Sequence, residues 1–128
     1  MKPEELMSLA REALKNAHAP FSGYRVGAAL LTRAGKVFTG CNVESSSYGL
    51  TVCAERVALF KAISEGERDF EAMAVTVETG GTTPCGACRQ VLWDLAPEII
   101  VYLERDEGGL EEIPLKALFP RPFGADRL

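Results

Sequence analysis

Apolar residues near the start of the chain recur at the spacing of one face of a helix. They follow Pro3, which suits the first turn of a helix. This pattern predicts a helix over residues 3–17, with the only histidine, His18, at its end. Further along, β-compatible runs alternate with helix-forming segments. These predict strands at 26–32, 36–41, 70–78, 98–103 and 111–113, and helices at 53–64, 85–95 and 114–119.

The connections between these elements indicate how the strands pair. Residues 33–35 are a short link, which favours an antiparallel hairpin of the first two strands. Residues 106–109 are also too few for a parallel crossover, which needs about a dozen residues or more. The order of elements predicts an α/β protein: three α/β/α layers and a mixed five-stranded sheet whose last strand is antiparallel. The 128 residues, with no linker, predict one domain spanning residues 1–128.

The charge of the chain narrows the function classes. There are 14 basic and 18 acidic residues, a formal net charge of -4, so no overall positive field attracts nucleic acid or an anionic membrane. No apolar run approaches the roughly 20 residues of a membrane span. The first residues carry Glu4 and Glu5 where a secretory signal would be basic and then apolar. We therefore expect a cytoplasmic protein with no nucleic acid or membrane partner.

Three of the four cysteines are placed for metal binding. Cys85 and Cys88 form a Cys-x-x-Cys pair at the start of a predicted helix and lie on one face of it. Cys53 begins another predicted helix and is the natural third ligand, whereas Cys41 stands apart. Catalytic zinc takes three protein ligands and a water. Two helix N-termini would also lower the pKa values of the thiols. We predict one zinc ion per chain.

The Cys-x-x-Cys pair alone has other interpretations. A pair at a helix start after a strand is also typical of a thioredoxin-like dithiol, which would not need Cys53. A non-catalytic zinc-stabilised module would bind the same metal but tolerate the loss of Glu55. The order Cys53-Ala54-Glu55 followed by Pro84-Cys85-Gly86-Ala87-Cys88 favours a third class. It is the ligand, non-ligand Glu and Pro-Cys-x-x-Cys pattern of zinc deaminases, in the three-cysteine variant.

Nearly the whole chain resembles the small, homotetrameric cytidine deaminases of pyrimidine salvage. The resemblance rests on motifs in the same order: residues 24–30 (YRVGAAL), 40–44 (GCNVE), 48–50 (YGL), 53–56 (CAER) and 84–90 (PCGACRQ). It implies the cytidine deaminase-like fold and hydrolysis of cytidine or 2'-deoxycytidine to the uridine nucleoside and ammonia. A related deaminase of another aminopyrimidine nucleoside, including a nucleoside antibiotic, remains an alternative.

The resemblance also assigns catalytic roles. Glu55 is expected to take a proton from the zinc-bound water, pass it to N3 of the ring and later protonate the leaving amine. Arg56 and Gln90 are expected to donate hydrogen bonds to ligand thiolates, which withdraws electron density from the sulfurs.

Substrate contacts are assigned in the same way. Asn42 and Glu44 are expected to bind the ribose hydroxyls. Tyr24 stands where the family commonly has Phe and packs against the pyrimidine, and Ala54 is placed among the substrate contacts. Tyr48 and Phe123 are expected to reach toward the pocket of an adjacent subunit, so that the active sites of the homotetramer are shared.

Overall fold

The computed structural model describes all residues, 1–128. Four helices and five strands form its regular structure, with short 3-10 turns at Tyr48–Leu50 and Ala125–Arg127. In chain order they are α1 (Pro3–Leu14), β1 (Val26–Thr32), β2 (Val37–Cys41), α2 (Ala54–Ser64), β3 (Phe70–Val77), α3 (Gly86–Leu95), β4 (Ile100–Glu104), β5 (Leu110–Pro114) and α4 (Leu115–Leu118). No helix has both the length and the apolar character needed to cross a bilayer.

The five strands form one sheet in the order β2-β1-β3-β4-β5. β1 runs antiparallel to both β2 and β3, so β2 and β3 point the same way. β4 is parallel to β3, with α3 as the crossover, and β5 is antiparallel to β4. The predicted mixed sheet with an antiparallel last strand is confirmed. The carboxyl ends of β2, β3 and β4 therefore meet at one edge, where ligand sites of α/β proteins lie.

Alternate residues of the strands build an apolar layer on each face of the sheet. On one face, Ala29 and Leu31 of β1 pack with Leu6 and Met7 of α1. On the other face, Leu30 packs in a larger cluster with residues of α2 and α3. These two helices contact each other, and each follows a strand that ends at the same edge of the sheet. Their N-termini are thereby brought together.

The first helix ends earlier than its apolar pattern predicts. α1 stops at Leu14 rather than at residue 17. The guanidinium of Arg25 donates to the carbonyl of Leu14 at 3.2 Å and to that of Lys15 at 2.7 Å, which occupies acceptors at the C-terminus of the helix. His18 lies in extended backbone, and its N–H donates to the Asn42 carbonyl at 3.0 Å. The placement of His18 at the end of this helix is therefore wrong.

Candidate active site

Three thiols from two helix starts meet at the edge of the sheet. Cys53 is the N-cap of α2, Cys85 is the N-cap of α3, and Cys88 lies in the first turn of α3. Their three sulfur atoms all lie within 4.8 Å of one another, and the sulfurs of Cys53 and Cys85 are 3.7 Å apart. Two sulfurs bound tetrahedrally to one zinc ion, each at about 2.3 Å, would be separated by about 3.8 Å. The cluster thus fits a zinc ion.

Positive potential surrounds these sulfurs. Both helices direct their N-termini at the cluster, and a helix N-terminus carries about half a positive charge. The guanidinium of Arg56 donates to the sulfur of Cys53 at 3.4 Å. A hydrogen bond from Cys88 is the main factor that lowers the pKa of Cys53 to about 5, with Arg56 contributing. The same bond retains the proton of Cys88 and raises its pKa. The cluster therefore holds a thiolate ready for a metal cation.

Glu55 lies in the first turn of α2 and is only 4% exposed. Burial is the main cause that raises the pKa of its carboxyl group to about 7, and the nearby Cys53 thiolate acts in the same direction. A carboxyl group with a pKa near neutrality can both accept and release a proton at physiological pH. Glu55 is outside the three-thiol cluster but faces the same cavity.

A cavity of about 210 Å³ opens beside the thiols. Six of the predicted site residues line it: Tyr24, Asn42, Glu44, Cys53, Glu55 and Cys85. Ser22, Thr82 and Thr83 line it as well, although no motif singles them out. The hydroxyl groups of Tyr24 and Thr82 are 2.8 Å apart and join the two loops that flank the cavity. Such a contact between residues 58 positions apart in the chain leaves no local sequence signal.

Asn42 fastens the end of β2 to the residues before β1. It is 6% exposed, and its side-chain oxygen accepts the Val26 N–H at 2.9 Å. Its amide nitrogen donates to the Tyr24 carbonyl at 2.7 Å. A primary amide has two N–H donors, so one donor is left for a ligand in the cavity. Asn42 therefore links two segments of the chain through hydrogen bonds and keeps one free side-chain N–H donor.

Glu44 is held as an ionised acceptor. Its Oε1 accepts the N–H groups of Phe21 and Ser22 at 3.0 and 3.1 Å, and its Oε2 accepts the Ser22 hydroxyl. The Ser22 hydroxyl is the main cause that lowers the pKa of Glu44. Each carboxylate oxygen has two lone pairs, so Oε2 retains a free acceptor position toward the cavity.

Two of the predicted site residues do not make the expected contacts in the structure. Gln90 does not donate to a thiolate: its amide nitrogen donates to the Phe123 carbonyl at 2.8 Å and lies 3.4 Å from the Asp94 carboxylate. Residues two apart on a helix face different sides, so Gln90 points away from Cys88. Ala54 is fully buried in the core and does not line the cavity, because it is the first residue of α2 and packs its side chain inward.

Tyr48 and Phe123 lie outside the cavity. Tyr48 is 77% exposed and lines a neighbouring groove of about 330 Å³, which shares Ser22, Glu44 and Thr51 with the cavity. Phe123 is 58% exposed, and its carbonyl is bound by Gln90 of the same chain. Both aromatic rings are therefore presented outward by this chain.

Three thiols and a buried carboxyl group at two helix N-termini of an α/β/α layer structure define the class of zinc-binding deaminases. The family model for the cytidine and deoxycytidylate deaminase zinc-binding region matches residues 1–104. The chain is 48% identical over 128 residues to the cytidine deaminase of Halalkalibacterium halodurans, covering 98% of this chain and 97% of the relative. The chain belongs to the cytidine and deoxycytidylate deaminase family, which is a family of enzymes.

A solved structure and a more distant relative place the chain within this family. The crystal structure of the cytidine deaminase from Burkholderia pseudomallei aligns with a TM-score of 0.91 at 47% identity, covering 96% of this chain and 100% of that one. A blasticidin-S deaminase from Bacillus cereus is 30% identical over 128 residues, covering 93% of this chain and 90% of the relative. The fold predicted from the sequence is thus the fold of solved cytidine deaminases.

The hydrogen bonds of Asn42 predict a cost in stability. Asn42→Ala leaves the Val26 N–H and the Tyr24 carbonyl without partners. We expect the free energy of unfolding to fall by about 1 kcal/mol, the lower end of the usual cost of unsatisfied polar groups, because both hydrogen bonds are only partly buried. Denaturant unfolding followed by circular dichroism measures it. Asn16→Ala, at an exposed asparagine, is the control. Equal stability of the two variants would show that Asn42 has no structural role.

Proposed function

We propose that this chain catalyses the hydrolytic deamination of cytidine and 2'-deoxycytidine to the uridine nucleoside and ammonia. It acts as a single catalytic domain over residues 1–128, in pyrimidine salvage in the cytoplasm. The observation that carries this proposal is the buried carboxyl group of Glu55 beside the three-thiol cluster, in a cavity that Asn42 and Glu44 also line. The names of the relatives support the same substrate class.

Cys53, Cys85 and Cys88 hold one zinc ion per chain in this proposal. When bound, zinc lowers the pKa of a water molecule and so supplies the nucleophile for C4 of cytosine. The three thiolates would give the site a net charge of about -1. Arg56 offsets part of this charge through its hydrogen bond to Cys53. The helix N-termini offset the rest through their partial positive charges.

Glu55 moves both protons of the reaction. It takes one proton from the attacking water and delivers it to N3 of the pyrimidine as the C4–O bond forms. It then takes the remaining proton of the added hydroxyl group and delivers it to the amino nitrogen. The C4–N bond breaks, ammonia leaves and C4 becomes a carbonyl. The raised pKa of Glu55 suits both directions of transfer.

The remaining cavity residues orient the nucleoside. The free N–H of Asn42 donates to one ribose hydroxyl, and Oε2 of Glu44 accepts from another. The ring of Tyr24 forms the wall against which the pyrimidine packs. Because the Glu44 carboxylate stays ionised, it repels a phosphate group near the sugar. This selects the free nucleoside over a nucleotide or a single-stranded nucleic acid.

The chain assembles as a homotetramer with shared active sites in this proposal. The cavity opens into the groove lined by Tyr48, so a bound nucleoside would be left partly uncovered by one chain. Tyr24, Tyr48 and Phe123 are each more than half exposed. Large exposed aromatic side chains are typical of surfaces that another subunit covers.

The reaction itself is tested with purified protein and Glu55→Gln. The wild-type protein should convert cytidine and deoxycytidine, so that their characteristic ultraviolet absorption disappears and ammonia is released. Glu55→Gln should lose at least about 10²–10⁴-fold in kcat, the usual contribution of a general acid and base. Cytosine, CMP, an oligonucleotide and blasticidin S are assayed beside them, and we expect far lower kcat/KM on each.

Glu65→Gln is the matched control, since Glu65 is exposed just after the end of the same helix. It should keep wild-type kcat. A higher kcat/KM on blasticidin S than on cytidine would show that cytidine is not the preferred substrate. Near-normal turnover by Glu55→Gln would show that another group transfers the protons.

The zinc site is tested by metal analysis of single variants. Cys53→Ala, Cys85→Ala and Cys88→Ala should each weaken zinc binding by more than the roughly 10–100-fold cost of losing a residue that only supports a ligand. Cys41→Ala should keep about one zinc per chain, because Cys41 lies outside the cluster. Chelator competition gives the affinities. Full zinc retention by the Cys85→Ala, Cys88→Ala double variant would refute this ligand set.

The shared active site is tested by mass and by KM. Light scattering should give the mass of four chains. Phe123→Ala removes the ring but keeps the main-chain carbonyl that Gln90 binds, so KM for cytidine should rise while the tail stays attached. Leu128→Ala changes an exposed residue of the same tail and should leave KM unchanged. A fully active monomer would show that one chain builds the whole pocket.

A further inference from the structure

A close contact between a helix and a strand lies directly beneath the candidate active site. Gly40, in β2, is packed against the backbone of α2. A Cβ atom at this position would lie 2.5 Å from the carbonyl oxygen of Ala54 and 2.6 Å from the backbone nitrogen of Ala58. Ordinary non-bonded contacts are near 3.5 Å, so any side chain here would displace one of the two elements by about 1 Å.

The strand is the element that is fixed. β2 is paired with β1 along its length, from Val37 to Cys41. The hydrogen bonds of Asn42 fasten the residue that follows to Tyr24 and Val26. The obstructing atoms are also backbone atoms of the helix, which no side-chain rotation can move away. A side chain at position 40 would therefore push the first turns of α2 off the sheet.

That part of α2 carries the reacting groups. Cys53 and Glu55 flank Ala54, whose carbonyl lies over Gly40. The other two thiols are on α3, which takes no part in this contact. A displacement of α2 would therefore change the separation between the sulfur of Cys53 and those of Cys85 and Cys88. It would also move the Glu55 carboxyl group relative to a nucleoside held by Asn42 and Glu44.

We propose that Gly40 is a positioning residue of the active site: its missing side chain sets the depth at which α2 lies on the sheet, and so places Cys53 and Glu55 against the thiols of α3. The proposal rests on the proposed function: on its zinc ligands for the effect on metal binding, and on its reaction for the kinetic consequence.

The chain offers a matched control on the opposite face of the sheet. Gly27, in β1, is packed even more closely against α1, where a Cβ atom would meet the carbonyl oxygen of Ala10 and lie 2.8 Å from the nitrogen of Leu14. No predicted site residue lies on α1. Gly27→Ala therefore disturbs a helix–strand contact of the same kind without moving Cys53 or Glu55.

The experiment compares Gly40→Ala with Gly27→Ala. We expect both to lose thermal stability, since both push a helix away from the sheet. Only Gly40→Ala should weaken zinc binding, by about tenfold or more, as measured by chelator competition at a temperature where both variants are folded. Its kcat on cytidine should fall by about 10²-fold with a smaller change in KM, as expected for a misplacement of about 1 Å. Equal zinc affinity and kcat in the two variants would overturn the proposal.

A second pair of variants tests the same proposal if Gly40→Ala does not fold. Ala58→Val adds bulk to α2 at the residue whose backbone nitrogen lies over Gly40, and Ala10→Val adds bulk to α1 at the residue whose carbonyl oxygen lies over Gly27; both alanines are fully buried. Weaker zinc binding in Ala58→Val alone supports the positioning role, and no difference between the pair overturns it. If wild type binds zinc but deaminates no substrate, the proposed function fails, while the zinc affinities still decide the role of Gly40.

Discussion

The close approach of three thiols is the constraint on which the rest of this structure depends. Each thiol that loses its proton places a negative charge beside the next, and a neighbouring like charge raises the pKa of the remaining groups. A hydrogen bond from Cys88 keeps one proton between two of these thiols: it lowers the pKa of Cys53 and, together with burial, raises that of Cys88, and the charge of the Cys53 thiolate raises the pKa of Cys88 further. Compensation comes from two helix N-termini and from Arg56. A bound cation would neutralise the negative charge of the thiolates further, which is why this arrangement favours metal binding.

The direction of the strands makes that compensation available. Because β2 and β3 are each antiparallel to β1, their carboxyl ends lie at the same edge of the sheet. α2 follows β2 and α3 follows β3, so both helices begin at that edge and direct their positive ends to one place. Asn42 and Glu44 follow β2 directly, and Thr82 lies in the loop after β3. The site is thus a product of topology.

The sequence predicts the parts of this arrangement that are local. The strands can be predicted because apolar runs and turn residues are short-range signals. The thiol motifs can be predicted because their cysteines have a characteristic spacing. The roles of Asn42 and Glu44 need the family resemblance, since both are otherwise ordinary loop residues. Contacts between distant segments are not predicted. Arg25 binds a carbonyl at the end of α1 from 10 residues away, the partner of Gln90 lies 33 residues away, and the close packing of Gly40 depends on a helix that begins 14 residues later.

The two carboxyl groups of the cavity show that surroundings, rather than residue type, divide their roles. Glu55 is buried beside a thiolate, which raises its pKa to about 7, whereas three donors from Phe21 and Ser22 lower the pKa of Glu44. Two carboxyl groups whose pKa values are pushed apart are suited to different tasks. Near neutral pH Glu55 can exchange a proton, and Glu44 remains an ionised acceptor that cannot. The two residues could exchange roles only if they exchanged environments. Glu55 lies in the first turn of a buried helix, whereas Glu44 lies in a loop and accepts N–H donors. In the proposed reaction, the backbone therefore determines both the place of proton transfer, at the thiol end of the cavity, and the place of hydrogen bonding, at its open end.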